Sequence, residues 1–250
     1  MRLSLRSRLC SSGLLALLAL LTTSFAAAQQ EPAELPDVRR VPSPAIGGFN
    51  ADPHIAVFGD RYYIYPTFDG NEGWGSTAFP LYSSTDLVHW QHHGIIVHLP
   101  YSLPWAGERA WAPAIAEYRG KYYFYMSANR NIAVAVADRP EGPFVDPLGK
   151  PLVAEGEYEG QMIDPMTFID DDGTPYLYWG NGRCYVARLN EDMISLAERG
   201  RDITPPDFRE GVFMVKRQGK YYLMWSEDDT RSPNYRVAYA IGDSPYGPFT

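Results

Sequence analysis

Apolar and polar residues alternate with a period of two through most of the chain beyond Ile46, and no stretch there keeps the spacing of an amphipathic helix. The alternating runs come in pairs joined by a glycine turn. GDRYYIY from Gly59, GKYYFY from Gly120, GTPYLY from Gly173 and GKYYLM from Gly219 are four versions of one motif, with 61, 53 and 46 residues between successive glycines. A short apolar segment precedes each motif (Ile55 to Phe58, Ala114 to Tyr118, Met166 to Ile169, Val212 to Val215), so each unit reads as strand, tight turn, strand. A third strand is predicted at Leu81 to Ser84, Ile132 to Ala137, Cys184 to Leu189 and Tyr235 to Ala240, and a fourth in the first unit around Trp90 to Val97. Four antiparallel strands per repeat of this length, without intervening helices, predict an all-β fold of the β-propeller type with about four blades in residues 46–250. EGPF from Glu141 and YGPF from Tyr246 each follow a third strand. The second copy runs out at Thr250, where a fourth strand is due, and the open blade edges lead us to expect a further blade in the natural product.

Aligning the units on their tyrosine pairs isolates one position that does not behave as core. Ten residues before Tyr62 stands Asp52, and ten before Tyr122 stands Ala112. With one residue more in the turn of the third and fourth units, Asp164 and Glu210 fall in the same column, which therefore reads Asp, Ala, Asp, Glu. Pro53, Pro113, Pro165 and Gly211 follow, types that disfavour a strand interior, so the column marks the start of each first strand. First strands line a propeller's channel, which brings three carboxylates to one mouth. Singly, each reads as an ordinary strand-end acid. Three at one repeat position repel one another, and such a cluster points to a site. Paired carboxylates, one protonated and one ionised, cleave glycosidic bonds, and a third can hold the acid's proton by like-charge coupling. Calcium also takes carboxylates, but no closely spaced Asp/Asn/Gly loop accompanies these three.

The charge and the start of the chain narrow the setting. Arg2, Arg6 and Arg8, the apolar run Leu14 to Leu21 and the alanines 26–28 predict a signal peptide over residues 1–28, followed by a linker over 29–45 and a secreted, extracellular or periplasmic, domain. The apolar run is too short for a membrane anchor, so no membrane is expected in the mature form. Without the leader the formal charge moves from −8 to −11, which argues against a nucleic-acid partner and suits a neutral sugar. Cys184 is then the lone cysteine, so an internal disulfide is excluded. Trp111, next to Ala112, is a candidate sugar platform or an inter-blade core residue. Phe68 and Trp74 lie in loops suited to binding, and Gly73 and Gly75 leave Trp74 uncovered. His54 is a candidate partner of Asp52 or a structural histidine. Ser/His/Asp, phosphate-loop and zinc spacings are absent.

FNADPHIAVFGDRYYIY around Asp52, GQMIDPMTFIDDDGTPYLYWG around Asp164 and REGVFMVKRQGKYYLMWS around Glu210 together resemble the family 43 glycoside hydrolases. The resemblance runs from about Ile46 onward and implies a five-bladed propeller acting on arabinose- or xylose-containing plant cell-wall polysaccharides. It implies Asp52 as the base that activates water, Asp164 as pKa modulator and orienter, Glu210 as the acid, and inversion at the anomeric carbon. It implies no cofactor for the chemistry. A channel ion such as structural Ca²⁺ belongs with a fifth blade and finds no support in this chain. An exo-acting α-L-arabinofuranosidase or β-xylosidase is the leading expectation. An endo-1,5-α-L-arabinanase, a retaining fructan-cleaving propeller and a non-catalytic sugar-binding propeller are the alternatives.

Overall fold

The computed structural model describes residues 43–250. The signal peptide and most of the linker expected from the sequence lie outside the described residues. Four antiparallel sheets follow one another along the chain. The first blade contains β1 (Asn50–Phe58), β2 (Arg61–Phe68), β3 (Ala78–Ser84) and β4 (Gln91–His98), hydrogen-bonded in sequence order. The second contains β5 (Trp111–Tyr118), β6 (Lys121–Ala128) and β7 (Asn131–Ala137). The third contains β8 (Met166–Ile169), β9 (Pro175–Trp179), β10 (Tyr185–Arg188) and the two-residue β11 (Arg201–Asp202), and the fourth β12 (Phe208–Arg217), β13 (Lys220–Glu227) and β14 (Arg236–Gly242). A fourth strand in the second blade is reduced to isolated bridges from Val153 to Ile132 and from Val145 to Val136. In the fourth blade, Thr250 exchanges both backbone hydrogen bonds with Ile241. The only helical pieces among the described residues are one turn at Leu99–Ser102 and a 3-10 turn at Glu72–Trp74.

The predicted hairpins form because their turns have the residues that a two-residue loop demands. Arg119–Gly120 and Gln218–Gly219 both take positive φ at each position, matching the right-handed twist of the strands they join. The third hairpin instead spans Asp170–Thr174, where Asp170 accepts the Gly173 amide.

Strand alternation then sorts side chains into the spaces between blades. On β6, Phe124 and Met126 face the first blade with Tyr65, Phe79 and Leu81, while Tyr123 and Tyr125 face the third with Leu177 and Trp179. On β9, Tyr176 and Tyr178 turn the other way, to Met214, Leu223 and Trp225 of the fourth blade. Each fully buried aromatic of this kind stabilises the fold by roughly 1.5–3 kcal/mol. A repeated latch adds direction to this packing. Tyr65, Tyr125 and Tyr178, all 0% exposed, donate to the carbonyls of Pro140, Met193 and Pro245, each in the segment after the third strand of the next blade. The first strands β1, β5, β8 and β12 touch in succession. This is the arrangement of propeller blades about an axis. The outward faces of blades one and four expose Ile55, Val57, Val237 and Tyr239, the kind of side chain that is buried between blades elsewhere in the molecule.

Candidate active site

Near the starts of β1, β5 and β12 the ladder slips. In β1 the slip falls between Ala51, opposite Thr67, and His54, opposite Tyr65; in β5 it falls between Trp111, opposite Ser127, and Ala114, opposite Tyr125. Asp52 and Ala112 occupy these bulges with φ of 45° and 42°, and Asp164 at the head of β8 has φ of 56°. In the fourth blade the residue in the matching conformation is Gly211, at φ 67°, with Glu210 on the ladder opposite Ser226. The column read from the sequence is corrected here. The fourth unit has no extra residue: Gly211, ten before Tyr221, holds the bulge position, and Glu210 stands one position ahead of it, where the second blade has Trp111.

The three acids line one cavity of about 720 Å³, whose wall also includes His54, Trp74, Trp111, Asn181, Arg209 and Tyr235. Asp52 is reached by water from the cavity but walled in on its other sides, and this burial raises its pKa; the Thr67 hydroxyl, 3.0 Å from Oδ2, opposes the rise and the charge of Asp69 adds to it. Asp164 is pushed furthest, well above the usual carboxylate range, first by burial and then by the charges of Asp52 and Glu210. Its Oδ2 accepts the Gly211 N–H at 3.2 Å, which braces the backbone beside Glu210. Glu210 is raised by burial and by the charges of Asp52 and Asp229, while the Arg209 guanidinium and the Asn181 amide, donating at 2.6 Å, work in the opposite direction. All three carboxyls are thus shifted toward holding a proton.

The other predicted residues separate. Trp74, on a turn with φ of 63°, is 62% exposed at the cavity wall. The Trp111 indole N–H donates to the Trp74 carbonyl at 3.0 Å, and the Arg109 guanidinium lies 5.8 Å from its ring, so Trp111 both lines the cavity and holds the Trp74 turn. His54 lies in the wall, and burial lowers its pKa to about 4, so it is neutral there; the side-chain hydrogen bond to Asp52 comes from Thr67 instead. Phe68 lies outside the cavity wall. Strand alternation explains its place, because its neighbour Thr67 takes the inward position. Thr67, Asn181 and Arg209 went unnoticed in the sequence. Thr67 had a signal, since a hydroxyl recurs at Ser127 and Ser226 at matching points after the paired tyrosines of those blades. Among the described residues no group of three or more His, Cys, Asp or Glu is arranged to hold a metal ion.

Comparison with known proteins adds descent to geometry. The family model for glycosyl hydrolases family 43 matches residues 41–250. The chain belongs to that family. A β-D-galactofuranosidase of Aspergillus niger is 38% identical over 223 residues, covering 83% of this chain. A xylosidase/arabinosidase of Bacteroides ovatus is 32% identical, covering 82% of this chain and 77% of its own length. The solved α-L-arabinofuranosidase of Clostridium thermocellum superposes with a TM-score of 0.73 at 33% identity, covering 81% of this chain and 72% of that one. The family 43 chain described here spans 65% of the length of the Aspergillus relative. Its blades are those of the family's β-propeller.

Proposed function

We propose that this family 43 glycoside hydrolase removes terminal α-L-arabinofuranosyl or β-xylosyl residues from arabinose- and xylose-containing plant polysaccharides, with inversion, and that it is exported. The observation that carries the reading is the meeting of Asp52, Asp164 and Glu210 from three blades in one cavity. Asp52 takes a proton from water as the water oxygen attacks the anomeric carbon. Glu210, raised by burial, gives its proton to the departing glycosidic oxygen. Asp164 orients the acid through the Gly211 amide. Trp74 supplies an exposed aromatic face for a sugar ring at the cavity wall, on a turn tied down by Trp111. The likeness to the Bacteroides xylosidase/arabinosidase supports the sugar class, and the leader's basic start, apolar core and alanine site support export.

The Aspergillus relative favours a second reading, a β-D-galactofuranosidase. That sugar shares the ring configuration of α-L-arabinofuranose and differs in its exocyclic arm. Nitrophenyl α-L-arabinofuranoside, β-D-xyloside and β-D-galactofuranoside, with debranched arabinan, form the deciding panel, with product configuration followed by NMR. Expected are turnover of an arabinofuranoside or xyloside and an inverted product. Glu210→Gln should slow poor leaving groups by about 10²–10⁴ while sparing activated aryl glycosides, and Asp52→Asn should abolish both. A retained anomeric configuration, or leaving-group dependence in Asp52→Asn instead, overturns the assignment.

A further inference from the structure

The acids are held by side chains that recur from blade to blade on the second strands. Fifteen residues beyond the bulge positions Asp52, Ala112 and Gly211 stand Thr67, Ser127 and Ser226. Thr67 and Ser127 are 2% and 0% exposed. In both of these blades the hydroxyl reaches across to the bulge of the next one: Ala112 N–H donates to Thr67 Oγ1 at 2.8 Å, and Asp164 N–H donates to Ser127 Oγ at 3.0 Å. The third blade has Gly180 at the corresponding point, where a Cβ would lie 2.0 Å from the Arg183 carbonyl oxygen. Its missing hydroxyl is replaced by the carboxylate of Asp164, which takes the Gly211 N–H itself. An unbroken series of clasps therefore runs from the first blade to the fourth, each tying one bulge amide to the blade before it.

Thr67 differs from Ser127 in what its proton does. A hydroxyl has one proton to give, and with the Ala112 N–H arriving at its oxygen, that proton is directed to Asp52 Oδ2 at 3.0 Å. We propose that Thr67 is a positioning residue for the general base, aiming Asp52 and favouring its ionised form, whereas Ser127 only fastens the backbone of Asp164. This inference rests on the base role of Asp52 given above. Asp69, Asp164, Glu210, His54 and Tyr235, together with the charged Arg130, Arg209, Asp229 and Arg231, line the cavity with Asp52, and none of them hydrogen-bonds the Thr67 hydroxyl.

The test compares wild type, Thr67→Val, Thr67→Ser and Ser127→Ala in the full chain. Thr67→Val should lower kcat by about 10–100-fold, the weight of one hydrogen bond to a charged group. KM should change far less, and the acidic limb of the pH profile should move to higher pH, because a donor to the carboxylate is gone. Thr67→Ser should restore both, and Ser127→Ala should lower thermal stability without moving that limb. Should Thr67→Val fail to fold, Thr67→Ala is read in the same way. The Asp52 carboxyl resonance, followed by NMR against pH, reports the same displacement without turnover. Wild-type inactivity on every glycoside would therefore sink the functional reading while the resonance still decides this one. An unmoved Asp52 titration in the Thr67 variants, or an equal movement in Ser127→Ala, overturns the proposal.

Discussion

Asn181 offers the sharpest single perturbation of Glu210, the proposed acid. Its side-chain amide donates to Glu210 Oε2 at 2.6 Å from a residue only 6% exposed, so the bond is both charge-assisted and shielded. Hydrogen bonds of this class are worth about 1.5–3 kcal/mol, which converts to a roughly 10- to 150-fold loss of kcat in Asn181→Leu if the bond aims Glu210 in the transition state. The backbone should survive the change, because Gln161 and Asn181 exchange both of their main-chain hydrogen bonds, at 3.0 and 3.1 Å. The amide favours the ionised form of Glu210, so its loss should move the basic limb of kcat/KM to higher pH. The assay is that profile for one activated aryl glycoside and one natural oligosaccharide, in the wild-type and Glu210→Gln backgrounds. The loss should fall mainly on the poor leaving group and should nearly vanish when Glu210 is already glutamine. Equal losses on both substrates, or an undiminished loss in the double variant, would refute the idea that Asn181 acts through the acid.

The other expectations concern stability and processing. Burial and two neighbouring charges raise the folded-state pKa of Asp164, so its contribution to stability is complete below the unfolded carboxylate range and is lost as pH rises through the folded value. Asp164→Asn keeps an acceptor for the Gly211 amide while removing that loss, and should raise the melting temperature at pH 7 by the equivalent of about 0.5–2 kcal/mol; an unchanged or lower melt at pH 7 would count against it. The exported protein should begin near Gln29, which N-terminal sequencing checks, and an intact Met1 in exported material would rule out the leader.

Much of the architecture was legible because each blade writes it in the same residues. Glycine turns and paired tyrosines located the hairpins, and the predicted segment Met166 to Ile169 is β8 itself. The tyrosines were informative for a physical reason: one of each set is the buried latch to the next blade, so the motif carries the inter-blade contact as well as the strand. The acids were legible as a cluster but not in their true phase. A turn lengthened by one residue and an acid standing one position ahead of the bulge lengthen the count equally, and only the ladder shows that the fourth blade has the latter. Phe68 was misplaced for a related reason, since alternation assigns the inward position to Thr67, and a loop-edge aromatic gives no sign of parity by itself. Asn181 left no mark because a single polar residue after a strand looks like any turn residue until its burial is known.

The displaced phase of Glu210 also separates what belongs to the fold from what belongs to the chemistry. Left-handed backbone at a non-glycine residue costs about 1–3 kcal/mol, and at Asp52 and Asp164 that strain could be credited to catalysis. Ala112 argues otherwise. It has no carboxylate, yet holds the same bulge at φ 42°, with its amide clasped by Thr67 as the Asp164 amide is clasped by Ser127. The strained conformation is therefore a property of every first strand, sustained by inter-blade hydrogen bonds. Asp52 and Asp164 are carboxylates placed on a position the repeat had already shaped. The fourth blade relaxes that position with glycine and moves its acid one residue earlier onto the ladder, on a side chain one methylene longer. On the proposed roles, base and acid thus leave their strands at different phases, so one repeating scaffold presents two carboxyl groups to the cavity from different backbone positions.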